Sequence, residues 1–147
     1  MKLFFNFSAL LFLFFIGVSC SNDDDDPAPT PAPVIMTFDA VLTPVVGTGS
    51  TASGNATLKF NQTAKTIDIM VTHSGILPIH GHIRRVDGVI AFPFPETNTS
   101  SIPIILHFTI TDDQIAELMA NHFHIDLQTE AYPNGEISGT FIKSSNG

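Results

Sequence analysis

The sequence is poor in cysteine, in tryptophan and in positive charge. Of its 147 residues one is Cys, none is Trp and one is Tyr, and six Lys and Arg face fourteen Asp and Glu, giving a formal net charge of −8. A single Cys closes no intrachain disulfide and supplies no CxxC metal or redox pair. The shortage of cations opposes a nucleic-acid surface, which needs clustered Lys and Arg to displace counterions from phosphates. A P-loop, a GxGxxG turn after a strand and a GxSxG elbow are all missing, which leaves phosphate, dinucleotide and serine-hydrolase chemistry without a foothold. Long apolar runs are missing too. The one conspicuous run, residues 3–18, falls short of the roughly 20 residues of a bilayer span. It nevertheless holds six of the thirteen Phe and inflates the 44% hydrophobic content. Without it an acidic domain of roughly 115 residues remains, which can bury about two-thirds of its unfolded surface around one core but cannot build two.

What is present begins with an address. Met1-Lys2 followed by the apolar run has the layout of a secretory signal, a cationic start and an apolar stretch ending in small residues. No cationic stop-transfer cluster follows; Asp23 to Asp26 do. Gly17-Val18-Ser19-Cys20 at the junction resembles a bacterial lipoprotein signal, in which cleavage falls before a Cys that becomes the lipidated N-terminus, with Gly17 where Leu is usual. One acyl chain holds a protein only marginally and two or more hold it stably, so the expected anchor is a multiply acylated, palmitate-bearing Cys20. Residues 1–19 are thus read as signal peptide and 20–33 as a tether. Charge repulsion among the aspartates and the alternating prolines from Pro27 to Pro33 extend that tether to roughly 40 Å at most. Acidic residues directly after the lipidated Cys resemble surface-export signals of Bacteroidetes lipoproteins, and the expected location is the outer membrane, facing outward.

From Val34 to the C-terminus the hydrophobic period is two, the mark of half-buried strands. Phe38, Ala40 and Leu42 alternate with polar or exposed positions, as do Ala56, Leu58 and Phe60, then Ile67, Ile69 and Val71, then Ile104, Leu106, Phe108 and Ile110, then Phe123, Ile125 and Leu127, and finally Ile137, Gly139 and Phe141. Turn signals separate them at Gly47-Thr48-Gly49, Asn61-Gln62-Thr63, Ser74-Gly75, Asp87-Gly88 and Pro133-Asn134-Gly135. Thr111-Asp112-Asp113-Gln114 resembles a capping box, and Ile115, Leu118 and Met119 follow at helical spacing, which predicts one short helix over 112–120. The fold expected for residues 34–147 is all-β, an antiparallel Greek-key, immunoglobulin-like β-sandwich with that helix on a sheet edge.

Several stretches resemble one family. Ala52-Ser53-Gly54-Asn55-Ala56-Thr57-Leu58 leads to Val71-Thr72-His73-Ser74-Gly75-Ile76, a His82-Ile83 pair follows, and Thr129-Glu130-Ala131-Tyr132-Pro133-Asn134-Gly135-Glu136-Ile137-Ser138-Gly139 is similar to a tail usually ending Pro-x-Gly-Glu-Ile-Arg-Gly. Together they look like the CHRD domain of chordin and of many bacterial exported proteins, over about residues 35–143. The resemblance implies an extracellular β-sandwich module without a general catalytic role. Members commonly carry His-Ile-His and a later Asn-x-His-Thr; here stand His82-Ile83-Arg84 and Asp126-Leu127-Gln128-Thr129, and Ser138 takes the place of the usual Arg.

All six His lie between residues 73 and 124, and His80-Gly81-His82 and His122-Phe123-His124 are both H-x-H pairs. In a strand, residues i and i+2 share a face roughly 6.5–7 Å apart, so two such rings converge on one ion if their strands adjoin. Imidazole suits Zn²⁺ or Cu²⁺, and Asp126 is placed to add an oxygen. The candidate metal set is His80, His82, His122, His124 and Asp126; the bland alternatives are solvated surface histidines, or a polar network that also takes in Arg84 and Glu136. Arg84 otherwise reads as a solvated turn charge. Phe94, between Pro93 and Pro95, reads either as an exposed anchor for a partner or as a lid on one end of the sandwich.

Three functions follow. The first is a lipid-anchored, non-catalytic CHRD module binding an envelope or extracellular partner. The second is a His-rich metal-binding lipoprotein. The third, a superoxide dismutase-like oxidoreductase, rests on a local likeness of H-x-H strands in a sandwich, and a lone Cys cannot form that enzyme's disulfide.

Overall fold

Alternation of core and solvent residues becomes strand along the whole domain, and the inward positions are the expected ones. β1 (Ile35–Pro44) turns in Phe38, Ala40 and Leu42, β2 (Ser53–Asn61) Ala56, Leu58 and Phe60, and β3 (Thr66–Ser74) Ile67, Ile69 and Val71. Two strands without a strong apolar alternation follow, β4 (His80–Arg85) and β5 (Ile90–Pro93). β6 (Ile104–Thr109), β7 (Phe123–Gln128), β8 (Ile137–Thr140) and β9 (Ile142–Lys143) complete the set. The computed structural model describes residues 32–96 and 99–145. The signal-like segment, Cys20 and the tether as far as Pro31 lie outside them.

The helix α1 (Asp112–Met119) forms where the capping box places it. The Thr111 hydroxyl accepts from the Gln114 backbone N–H, and the Gln114 side chain accepts from the Thr111 N–H. Asp112 and Asp113 sit in its first turn, favourable to the helix dipole. At the other end Asn121 takes a left-handed φ of 57°, His122 N–H reaches the Glu117 carbonyl and Asn121 N–H the Leu118 carbonyl, a Schellman stop. Leu118 is buried against the barrel.

The strands join in one antiparallel path, β5-β4-β7-β8-β1-β2-β3-β6, with β9 against β1. The expected all-β antiparallel class with one short helix is what forms. The separate sheets of an immunoglobulin-like sandwich are replaced by a nearly closed, barrel-like sheet, and β1 is the reason. One edge of β1 pairs with β2 from Ile35 to Leu42, while the other meets β8 at Thr43 and Pro44 and β9 at Phe38 and Asp39. Gly139 makes this closure possible: a Cβ there would lie 2.4 Å from the Val41 carbonyl oxygen. The two end strands, β5 and β6, share no ladder. Their seam is filled by Phe92 against Phe108, ring centroids 5.0 Å apart, with Phe123 edge-on to Phe92 at 5.8 Å.

Strand directions give the barrel two unlike ends. The described chain enters beside the tight β2–β3 turn, the β4–β5 turn and α1. At the opposite end lie the four longer connections, residues 45–52, 75–79, 94–103 and 129–136, which we call the loop end.

Candidate functional site

β4 and β7 do adjoin, and their register decides which polar side chains meet. His80 stands opposite Gln128, His82 opposite Asp126 and Arg84 opposite His124, all on the outward face because Ile83, Ile125 and Leu127 point into the core. Asp126 is only 5% exposed, and the β7–β8 loop folds near it, with the Cβ position of Gly135 3.7 Å from the Asp126 Cβ. Arg84 Nε donates to Asp126 Oδ1 at 2.7 Å, and Gln128 Nε2 donates to Asp126 Oδ2 at 2.8 Å. The same Gln128 amide lies 3.2 Å from His82 Nδ1, and an Arg84 terminal nitrogen lies 3.4 Å from it. Asp126 Oδ2 lies 3.5 Å from the same nitrogen, so His82 Nδ1 faces two donors and a carboxylate together.

This arrangement corrects two expectations and bears on a third. Arg84 is not a solvated turn charge: its guanidinium is half-buried and pairs with a buried carboxylate. A polar network containing Arg84 does form, but Glu136 belongs to a different one. Of the metal set, His82 and Asp126 are neighbours, His80 and His124 flank them on adjacent rows, and His122 lies before β7, exposed and paired with Glu117 at 2.9 Å. Among the described residues no three His, Cys, Asp or Glu are grouped as a metal ion requires. The space between His82 and Asp126 is shared with the Arg84 guanidinium, a fixed positive charge already paired with the carboxylate that a cation would use.

At the loop end Phe94 is a lid, not an exposed anchor. It is buried, its N–H donates to the Gly81 carbonyl at 2.9 Å, and a Cβ on Gly81 would come within 2.4 Å of its ring. His73, the last inward residue of β3, is 6% exposed. Burial pulls its pKa below the ordinary histidine value, against a smaller opposing effect of a Ser101 backbone group. Both ring nitrogens are buried, and a Ser101 backbone group is the polar neighbour set against the ring.

The loop end is organised by Glu136, whose role the sequence alone did not disclose. This carboxylate is 8% exposed; it accepts from the Ser50 hydroxyl at Oε1 and the Thr129 hydroxyl at Oε2, each at 2.6 Å. Its backbone carbonyl accepts from Val45 N–H, and Tyr132 Oη donates to the Thr48 carbonyl. The β1–β2 and β7–β8 loops are thereby latched together. Beside the latch an open groove of about 720 Å³ runs between residues 75–79 and 129–131, with Ile76, Leu77, Ile79 and Ala131 as apolar walls and Glu130 and Glu136 as its acids. The Pro-Asn-Gly-Glu stretch marked the turn, but nothing local announced Ser50, 86 residues away in sequence, as its partner.

The CHRD domain family model matches residues 34–141. The chain belongs to the CHRD-domain family. No curated protein and no solved structure matches it. In this CHRD domain the departures from the family pattern fall in one place. Arg84, Asp126 and Gln128 are the network just described, and Ser138, where Arg is usual, stands directly across from Asp126 on β8. In this chain the guanidinium that reaches Asp126 comes from β4.

Proposed function

We propose that this CHRD domain is a non-catalytic binding module, exported, moored to the outer membrane through a lipidated Cys20 and facing outward, which meets its partner with the loop end. The polarity of the barrel carries the reading. The chain enters at one end, and the four long connections gather at the other. There Val46 is fully exposed and Leu77 is 82% exposed, beside Ile79 and Ile102. Apolar side chains so placed on a polar rim mark an interaction surface.

The cross-strand row of Ser138, Asp126 and His82 supports the non-catalytic side of the reading. A nucleophilic serine needs the histidine between itself and the acid, and here the acid stands in the middle.

The test uses the full-length protein on intact cells, with capture of envelope and extracellular proteins compared among variants. Val46→Asp and Leu77→Asp at the loop end should abolish capture of a specific partner, and Val89→Asp, an exposed apolar position in the β4–β5 turn at the entry end, should preserve it. Equal capture by all three variants overturns the loop end as the contact surface.

A further inference from the structure

Glu136 is an anomaly among the charged groups of the domain. It is a buried carboxylate, its two hydrogen-bond donors are neutral hydroxyls, and it forms no ion pair among the described residues. Asp126, equally buried, is neutralised by Arg84. A carboxylate held out of water with no counter-charge is costly, and its remaining lone pairs are free to accept from a cation.

The cations of the domain cannot supply that charge. Of the six Lys and Arg in the chain, Lys2 lies outside the described residues, and the other five are Lys59, Lys65, Arg84, Arg85 and Lys143. All five stand toward the entry end of their strands or in its turns. The four loop-end connections contain no Lys or Arg at all; their charges are Glu96, Glu130 and Glu136. Glu136 also lines the open groove, together with Glu130, Thr129 and the apolar walls Ile76, Leu77, Ile79 and Ala131.

Resting on the reading of the loop end as the contact surface, we propose that this groove receives a cationic side chain of a partner peptide, Lys or Arg, with flanking apolar side chains laid on Leu77, Ile79 and Ile76. The cation meets Glu136 at the floor and Glu130 at the rim. Hydrophobic walls lower the local dielectric and strengthen the pairing, and the absence of loop-end cations removes any competitor for it. An anionic lipid or polyanion has no counter-charge there.

The test measures binding of the full-length protein to a hexapeptide alternating Arg and Leu, to its neutral citrulline analogue, and to a Glu–Leu hexapeptide. The expected order is Arg–Leu binding at least tenfold tighter than citrulline–Leu, weakening with salt, and no binding of Glu–Leu. Leu77→Ala, at an exposed position that leaves the barrel intact, and Glu136→Gln should each lower Arg–Leu affinity at least tenfold. The citrulline peptide binding as tightly as the Arg peptide overturns the proposal. So does Arg–Leu binding that ignores both variants, since it then reports only attraction to a chain of net charge −8. If a partner is captured from cells through Val46 and Leu77 but the Arg–Leu peptide does not compete with it, the cationic recognition fails while the loop end stands as the contact surface. If neither is seen, both fail.

Discussion

Arg84 on β4 and Asp126 on β7 face each other diagonally across a strand pair, joined Nε to Oδ1 at 2.7 Å on the outward side of the barrel wall. A carboxylate that is nearly inaccessible on a face that should be wet is stable only because this guanidinium and the Gln128 amide hold it. Arg84→Ala therefore leaves a buried charge with one neutral donor and should cost about 2–3 kcal/mol in urea unfolding, the upper end being reduced by the partial exposure of Arg84. The double change Arg84→Met with Asp126→Leu should recover most of that loss. A double variant no more stable than Arg84→Ala refutes the pairing as the cause.

Gly81 is constrained by its neighbour. With a Cβ placed 2.4 and 2.7 Å from two Phe94 ring atoms and 3.0 Å from Leu127, Gly81→Ala must push the lid outward. The expected cost is about 1–3 kcal/mol, read as a fall of several degrees in melting temperature. Adding Phe94→Leu should restore part of it, and a Gly81→Ala protein as stable as wild type contradicts the tight seat.

Acid should weaken the domain through His73. Burial favours its neutral ring, so its folded pKa lies below that of the unfolded chain. The unfolded state then binds more protons, stability is full above the unfolded value near 6.5 and is lost as pH falls through the folded pKa. His73→Phe, which cannot ionise, should flatten the fall in urea midpoint below pH 6.5. An unchanged pH profile in that variant assigns the acid sensitivity elsewhere.

Glu136→Gln leaves one acceptor oxygen for the Ser50 and Thr129 hydroxyls and orphans one of them. The cost should be about 1–2 kcal/mol, and amide hydrogen exchange should rise in residues 45–52 and 129–136 before it rises in β2 or β3. Uniform acceleration throughout the barrel would mean that the carboxylate does not latch these loops in particular.

The anchor has its own readout. Labelled palmitate should enter the wild-type protein and be absent from Cys20→Ala, which should also leave the membrane fraction, because stable mooring needs more than one acyl chain. A Cys20→Ala protein that stays equally membrane-bound removes the lipid from the argument.

The inward faces of β1, β2, β3, β6 and β7 were legible because each repeats large apolar residues at period two, and α1 because its cap residues stand directly before it. β4 and β5 were not, since Gly81, Arg84 and the short run Ile90–Pro93 give no alternation strong enough to see. In the site, same-face spacing was legible: His80 with His82, His124 with Asp126. Cross-strand register was not, and it is register that sets His82 against Asp126, puts Arg84 where a metal reading needed an ion, and brings Ser50 to Glu136. The nearly closed sheet was hidden for a similar reason. Whether β1 serves one sheet or both depends on how closely Gly139 lets its neighbour approach, and a glycine looks the same in either case.

The ring-filled seam between β5 and β6 gives the barrel wall a preferred line of parting. Elsewhere, separating two strands breaks a row of hydrogen bonds; there it only slides aromatic rings off one another. The described residues of the connection that spans the seam, 94–96 and 99–103, also border the surface proposed for binding. A ligand that docked as proposed and bridged that connection to the latched loops would act as a rivet across the joint with no hydrogen-bond ladder.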